Sequence, residues 1–275
     1  MQITKKSLKS KNSGVSYSIS SVVITATTVV LVLVASNFAY QALERQRGTA
    51  EFNMVSNILE TYDDAVQDIA WSIKGSRNTR FSIDYGTLAL FPDNENQGLN
   101  LDLDVVVEGN TIFTQNLTTG YVEYSIPTQF VSFAQRETFY LLGDAEVITV
   151  DGTDSLGRIL ISHSSEWVSA VVSYRVRVME TSTITIGDDL VSYVNLWVVK
   201  LKIPEFSANY GNFDLTTNAY NLNTTSYQTS IGNYDDFTLG VKFGNELYSQ
   251  KTINLREISD RIVFNVIVSE VEVLP

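Results

Sequence analysis

Residues 22–35 read VVITATTVVLVLVA, and they lie within a longer run, residues 12–43, that contains no charged side chain. The hydrocarbon layer of a bilayer is crossed by about 20 apolar residues in helical form. Residues 15–40 meet this length if the serine and threonine hydroxyls donate hydrogen bonds to helix carbonyls one turn earlier. The stretch therefore predicts one membrane-spanning helix near the N-terminus.

The charges on the two sides of this helix predict its orientation. Four lysines and no acidic residue precede it, at positions 5, 6, 9 and 11, whereas Arg45 and Arg47 follow it. Because the more positive flank of a spanning helix stays on the cytoplasmic side, we expect the N-terminus inside the cell and the chain after residue 40 outside.

Three interpretations of the apolar helix are open at this point. The first is an ordinary secretory signal, with a small-residue cleavage site at Val34-Ala35-Ser36. The second is a single-span membrane anchor that stays on the protein. In the third, a short basic leader is removed in front of the apolar stretch, which remains as the N-terminus of the mature chain. The sequence that follows the stretch distinguishes among them.

The helical pattern continues well beyond the apolar stretch, which a cleaved signal does not require. No proline occurs before Pro92, and Gly48 is the single glycine between Val15 and Gly75. We expect one helix over residues 15–74, about 90 Å long, that ends before Gly75 and packs on the rest of the chain. Its packing positions recur in alternating steps of three and four, the spacing of a helical seam: Phe52, Val55, Leu59, Tyr62, Val66, Ile69 and Ile73.

The two halves of this helix differ in their remaining faces. Between the seam positions the residues are polar and are predicted to face water: Glu51, Asn53, Glu60, Asp63, Asp64, Gln67 and Asp68. In the apolar half, one face carries a stripe of small residues, interrupted by Val32: Ser18, Ser21, Thr25, Thr28, Ala35, Ala39 and Ala42. Because helices in lipid associate through close approach over small residues, we expect the stripe to be a helix–helix packing face. The alternative is that serine and threonine simply occur in a weakly apolar span.

The N-terminal 60–75 residues resemble those of archaeal type IV pilins and their archaellin-like relatives. The features that carry the resemblance are a basic leader ending in Gly14, the uncharged helix that opens with Val15 and Ser16, and the amphipathic helix that continues it. The resemblance implies that a membrane peptidase cleaves between Gly14 and Val15, that the mature helices bundle into a filament core, and that β-rich domains lie outside. Many type IV pilins have a glutamate at the fifth mature position, where this chain has Ile19.

After Gly75 the sequence is typical of β-strands. Apolar and polar residues alternate over residues 99–107, and residues 194–203 and 262–268 are two further strong strand segments. Glu108-Gly109-Asn110 predicts a hairpin turn after the first of them. Residues 174–178 alternate in the same way, which predicts that Arg175 and Arg177 face water.

These segments define the expected organisation of the chain. The fold class is α+β: a basic leader (1–14), a long N-terminal helix (15–74) and a β-sandwich-rich extracellular domain (75–275). About ten to fourteen strands in the last segment correspond to one or two sandwiches, with a possible sub-boundary near 204–209.

The composition excludes several classes of site. Cysteine is absent and His163 is the single histidine, so disulfides, thiolate metal sites and histidine clusters are excluded. With 31 acidic and 19 basic residues the net charge is −12, which argues against a nucleic-acid partner. The sequence has no Gly-x-Ser-x-Gly elbow and no phosphate-binding loop, and nothing singles out a catalytic carboxylate pair. We therefore expect that the protein is not an enzyme and that it binds neither a cofactor nor a metal.

Two further motifs fit an extracellular location. Asn116-Leu117-Thr118 and Asn223-Thr224-Thr225 are acceptor sequences for N-glycosylation, with Asn116 and Asn223 as the modified residues. Aromatic residues also recur every seven positions in a stretch rich in Asn and Thr: Phe213, Tyr220, Tyr227 and Tyr234. They predict either an aromatic contact surface or, as the simpler alternative, ordinary strand residues whose spacing is a coincidence.

The expected function is structural. The chain is predicted to be a subunit of an archaeal type IV pilus-like surface filament used for adhesion, with the helices in the core and the β-domains exposed. Its expected partners are other copies of itself, the membrane before assembly, and the leader peptidase with its assembly machinery. The alternative is a single-span surface ectodomain or a minor pilin with a binding role, present in one copy.

Overall fold

The computed structural model describes the backbone of residues 13–72, 74–131, 138–150, 154–244 and 247–275, with side chains except at 13–18, 180, 181 and 247. Within these residues the expected fold class is confirmed: a long N-terminal apolar helix precedes a strand-rich domain with a sandwich-like arrangement of sheets. Residues 1–12 of the expected leader and Ile73 of the seam lie outside the described residues, as do the side chains of Val15 and Ser18.

A single helix, α1 (Ser13–Ala70), leads into the β-domain. Its 58 residues extend about 87 Å at 1.5 Å per residue, and it ends four residues earlier than expected. The Ser269 hydroxyl donates a hydrogen bond of 2.9 Å to the carbonyl of Ala70. The next residue, Trp71, leaves the helix and packs on Trp197, with ring centroids 4.4 Å apart. Contacts with the domain, rather than the glycine that follows, therefore end the helix.

The rest of the described chain forms sixteen strands and a short 3₁₀ helix, Thr128–Phe130. The first eight strands are β1 (Ser76–Ile83), β2 (Thr87–Phe91), β3 (Leu99–Val107), β4 (Asn110–Thr119), β5 (Tyr121–Pro127), β6 (Phe139–Leu142), β7 (Ile148–Thr149) and β8 (Gly157–His163). The other eight are β9 (Trp167–Tyr174), β10 (Val176–Ile186), β11 (Asp189–Lys202), β12 (Phe206–Ala208), β13 (Gly211–Gln228), β14 (Tyr234–Phe243), β15 (Leu247–Ser259) and β16 (Arg261–Leu274). Glu108 and Gly109, with φ of 49° and 79°, form the two-residue hairpin turn between β3 and β4.

The strands form three sheets. The central sheet has the order β1-β13-β16-β11-β10-β7, the helix-facing sheet β12-β2-β5-β9-β8-β6, and the outer sheet β15-β14-β3-β4. Neighbouring strands are antiparallel except for β11 with β16 and β10 with β7, which are parallel. The β11–β16 pair lies in the middle of the central sheet, and each of its strands has 14 residues. This length lets the central sheet contribute to two hydrophobic cores.

The central sheet buries opposite faces at its two ends. In β16 the core residues are even-numbered up to Val268 and odd-numbered from Val271, and β11 changes in the same way between Val198 and Val199. The even-numbered face packs on the outer sheet, and the odd-numbered face packs on α1 and the helix-facing sheet. Because successive side chains point to opposite faces of a strand, one unbroken sheet supplies both cores.

The two cores do not correspond to two consecutive stretches of sequence. The core next to α1 contains both Ile203 and Leu215, which lie on either side of the expected sub-boundary at 204–209. Strands β11 and β16 contribute to both cores. The β-domain is thus organised around a shared sheet.

Two arginines that were expected to face water are buried instead. Arg175 and Arg177 have exposed fractions of 3% and 8%. Backbone carbonyls accept their hydrogen bonds: Ser155 binds the Arg175 guanidinium, with Nε at 3.0 Å, and Asp154 binds Arg177. The alternation of apolar residues over 174–178 did not reveal these carbonyls, because they come from a neighbouring segment of the fold.

Candidate functional site

The N-terminal half of α1 carries exposed apolar side chains along its length. Between Ile19 and Leu43, thirteen large apolar side chains are 43–69% exposed. Among the described residues this is the helix that is long and apolar enough to cross a membrane, a property shared by membrane anchors and signal sequences. Its 25 residues extend about 37 Å, compared with about 30 Å of hydrocarbon in a bilayer. We call residues 19–43 the projecting half of α1, and residues 48–70 the docked half.

Three threonine hydroxyls in the projecting half form hydrogen bonds within the helix. Thr25, Thr27 and Thr28 each donate to the carbonyl of the residue four positions earlier, at 2.8–2.9 Å. Each hydroxyl proton is therefore satisfied without water. The threonines do not prevent this half of the helix from entering an apolar environment.

The small-residue stripe is exposed on the projecting half. The members with described side chains are all exposed: Ser21, Thr25, Thr28, Ala35, Ala39 and Ala42. Because the large side chains other than Val32 occupy the other faces of the helix, the stripe is a shallow strip on both sides of Val32, at which a neighbouring backbone can approach closely. A partner for it has to come from outside the single chain.

The docked half packs into the core of the β-domain through the seam. Its six described seam residues are 0–3% exposed: Phe52, Val55, Leu59, Tyr62, Val66 and Ile69. They share one core with apolar residues of the helix-facing sheet and of the odd-numbered face of the central sheet. The ring of Phe52 lies 5.9 Å from that of Tyr124 in β5. This half of α1 is therefore part of the globular domain.

Glu51, expected to face water, is buried and fastens the docked half to the turn between β1 and β2. Its two carboxylate oxygens accept hydrogen bonds from the backbone N–H groups of Asp84, Tyr85 and Gly86 at 2.9–3.1 Å. The Tyr124 hydroxyl donates a fourth bond to Oε1 at 2.8 Å. Burial, followed by this bond to Glu51, raises the pKa of Tyr124 and keeps the hydroxyl protonated as a donor. A carboxylate with four donors is well satisfied in a buried position.

Gly48 allows the helix to pass close to the 3₁₀ helix. A Cβ atom at this position would overlap with the carbonyl oxygen and Cβ of Phe130. Phe130 in turn packs against Tyr85, with ring centroids 5.3 Å apart. The glycine that interrupts the helical sequence therefore marks the place where α1 leaves the β-domain.

Asp63 is a second acidic residue of the docked half that was expected in water and is buried, at 1% exposure. Gln67 Nε2 donates a hydrogen bond of 2.5 Å to its Oδ2. The carboxyl fits because residue 157 is glycine, where a Cβ would overlap with Oδ1. Burial raises the pKa of Asp63 to about 7, and the bond from Gln67 partly offsets this rise.

Two open clefts flank the point at which α1 leaves the domain. One, of about 330 Å³, lies between residues 40–45 of the helix and the 3₁₀ helix. The other, of about 570 Å³, lies beside Arg47 and Met54 and is bordered by Tyr85 and Tyr210. Tyr40 and Tyr210 are 62% and 80% exposed. One exposed tyrosine therefore borders each cleft at the base of the projecting half.

The other candidate residues lie apart from this region. Asn116 in β4 and Asn223 in β13 are exposed. His163 is the last residue of β8 and is half-buried. The described residues contain no group of three or more His, Asp or Glu side chains that could bind a metal.

The seven-residue aromatic repeat does not form a surface. Phe213 and Tyr227 pack against different cores, and Tyr234 is buried. Tyr220 is 51% exposed, beside a bulge in β13 that shifts the register with β16. The repeat is therefore the simpler of the two alternatives, a coincidence of spacing among strand residues.

Comparison of the chain with protein-family models, with curated proteins and with solved structures finds no match. The function is therefore inferred from the geometry of α1 and of the β-domain that holds it.

Proposed function

We propose that this protein is a structural subunit of a type IV pilus-like surface filament. In the filament, the projecting halves of many copies pack together as the core and the β-domains lie outside. The observation that carries the proposal is the contrast along α1. Its own domain buries the seam of the docked half, whereas the projecting half is more uniformly apolar and stays exposed.

The exposed apolar surface is too large to remain in water. Burying one large aliphatic side chain contributes about 1.5–3 kcal/mol. Removing the whole projecting half from water would therefore stabilise the protein by roughly 20 kcal/mol or more. Lipid removes this surface from water before assembly, and identical helices do so afterwards. The small-residue stripe supports the second environment because it lets helix backbones approach closely.

The precursor is proposed to insert with its N-terminus in the cytoplasm and its β-domain outside. The lysines before the helix favour this orientation. Tyr40 and Tyr210 at the helix exit support a membrane–water boundary at this level, since tyrosines concentrate there. By the resemblance to archaeal type IV pilins, the leader peptidase then cleaves between Gly14 and Val15.

N-terminal sequencing of the native protein tests the processing step. The mature chain is expected to begin at Val15, and a Gly14→Leu variant is expected to accumulate uncut in the membrane. A native chain that starts beyond residue 36 would show that the apolar helix is a discarded secretory signal. Normal cleavage of the Gly14→Leu variant would contradict the leader assignment.

The stripe is tested by two substitutions on adjacent residues. Ala35→Leu places a large side chain on the stripe, and we expect at least a roughly tenfold lower filament yield, because close helix packing is lost. Val34→Leu introduces the same side chain on a different face and is expected to leave the yield unchanged. Equal filament yields for the two variants would show that the stripe is not part of the helix–helix interface.

Electron microscopy of sheared cell-surface material, with mass spectrometry of the filaments, tests the assembly itself. A filament composed mainly of this chain is expected. If the chain is found in single copies in the membrane fraction, it is instead a single-span surface ectodomain. If it is a trace component of a filament built from another subunit, it is a minor pilin.

A further inference from the structure

Two strand edges of the β-domain are open over a long distance. β1 pairs with β13 at residues 211–218, and beyond that point β13 pairs with β16 alone. In the described part of the chain, no strand pairs with the outer edge of β13 over residues 220–228. β4 is likewise the last strand of the outer sheet and pairs with β3 on one side. Open edges present unpaired N–H and C=O groups to which another strand can bind.

These two edges also lie side by side. Phe113 in β4 stacks on Tyr227 in β13, with ring centroids 4.1 Å apart and ring planes inclined by 12°. A second chain that adds a strand to one edge therefore meets the other edge as well. Together the two edges form one template for strand addition.

The amino-acid composition of these edges gives them no protection. Residues 220–228 read YNLNTTSYQ and β4 reads NTIFTQNLTT, without a charged residue or a proline. The other edge strands have the usual protection. β6, β7 and β12 have four residues or fewer, β1 carries Arg77 and Arg80, and β15 carries Lys251, Arg256 and Glu257.

The two unprotected edges contain both N-glycosylation acceptor sequences of the chain. Asn116 lies in β4 and Asn223 in the open part of β13, and both side chains are exposed. They are three and four residues from the stacked pair Phe113 and Tyr227, respectively, so glycans at these positions flank the place where the edges meet. Nothing in strand propensity requires the acceptor sequences to fall on these two strands.

We propose that Asn116 and Asn223 carry N-linked glycans that protect the paired open edges of β4 and β13 from strand addition by another copy of the chain. In the modification, the Asn Nδ2 attacks the anomeric carbon of an oligosaccharide linked to a lipid phosphate. The carbon–nitrogen bond forms as the carbon–oxygen bond to phosphate breaks, the amide loses a proton, and the lipid phosphate leaves. The proposal rests on the proposed function in one respect, since the β-domain must lie on the extracellular side of the membrane.

Mass spectrometry of glycopeptides from the native protein tests the modification. Both asparagines are expected to carry a glycan, which Thr118→Ala and Thr225→Ala abolish and Thr118→Ser and Thr225→Ser retain. Protease treatment of intact cells separates this test from that of the proposed function. Unmodified asparagines in an accessible β-domain overturn the present proposal alone, whereas an inaccessible β-domain overturns the proposed function.

The protective role is tested on the full chain in detergent micelles. The Thr118→Ala/Thr225→Ala variant is expected to form larger oligomers than the wild type, and amides in residues 111–119 and 220–228 are expected to exchange at least about tenfold more slowly, because new strand pairs protect them. Adding Thr114→Lys and Thr224→Lys, which place charges on the same edges, is expected to restore the wild-type size. If both sites are glycosylated in the wild type and the variant keeps its size and exchange rates, the glycans do not protect the edges.

Discussion

The two halves of α1 belong to one continuous helix and have opposite surroundings. The docked half is apolar along one seam, and its own domain buries that seam almost completely. The projecting half is apolar on nearly all sides, and its side chains remain exposed. The distribution of apolar residues around a helix therefore indicates how the helix can be covered. One seam is satisfied by one domain, whereas an all-round apolar surface needs lipid or several neighbouring helices.

The largest effect is expected from Glu51→Ala, which tests how firmly the docked half is held. The substitution leaves three backbone N–H groups and the Tyr124 hydroxyl without their acceptor, and should lower the free energy of unfolding by about 5 kcal/mol. Chemical unfolding of the full chain in micelles measures this. Asn53→Ala, on an exposed position two residues away, is the control and should change stability by less than about 0.5 kcal/mol. Similar losses for both variants would show that the Glu51 bonds do not anchor the helix.

Asp63→Asn is expected to have an effect that depends on pH. The pKa of about 7 in the folded state lies above the ordinary value of 3.8, so the folded protein keeps a proton that the unfolded chain releases. Stability is therefore lost as pH rises from about 4 to 7, by up to about 4 kcal/mol, and no further loss follows above pH 7. The variant should be more stable than the wild type at pH 8 and equal to it at pH 4. Chemical unfolding of both proteins at pH 4 and at pH 8 measures the difference in their free energies of unfolding. The same difference at both pH values would contradict the prediction.

A matched pair of leucines tests the different surroundings of the two halves directly. Leu59 is 0% exposed and Leu33 is 65% exposed. Leu59→Ala should lower the free energy of unfolding of the β-domain by about 3 kcal/mol, because it leaves a cavity in the core. Leu33→Ala should leave the unfolding of the β-domain unchanged. Equal destabilisation by both variants would mean that the projecting half also packs on its own domain.

The smallest effect is expected from Gly48→Ala, at the boundary between the halves. Alanine favours the helix by about 1 kcal/mol, but its Cβ overlaps with backbone atoms of Phe130, and we expect a net loss of about 2 kcal/mol. Thermal unfolding of the β-domain measures the result. Gln46→Gly, at an exposed helix position, is the control, because it changes helix propensity without affecting the close approach of residue 48 to Phe130. A gain in stability for Gly48→Ala would show that the two elements separate easily.

Periodicity was sufficient to locate the seam, because side-chain direction in a helix follows sequence spacing. The six described seam positions all lie in the core. The same reasoning placed Glu51 and Asp63 in water, and both are buried. The partners of Glu51 are residues 84–86 and Tyr124, and the space that accommodates Asp63 is left by Gly157; all of these are distant in sequence. Periodicity reports which residues share a face, but not how wide a face the domain covers.

Local sequence patterns were sufficient to predict the long helix, its change from an all-round apolar to an amphipathic pattern, and the main strands, because these depend on local backbone geometry. The tertiary structure decided where the helix ends, which acidic and basic side chains are buried, and how one sheet serves two cores. It also decided that both glycosylation acceptor sequences lie on adjacent open edges. The reason is that burial and strand pairing depend on segments that are remote along the chain. No local pattern predicts which of these segments come into contact.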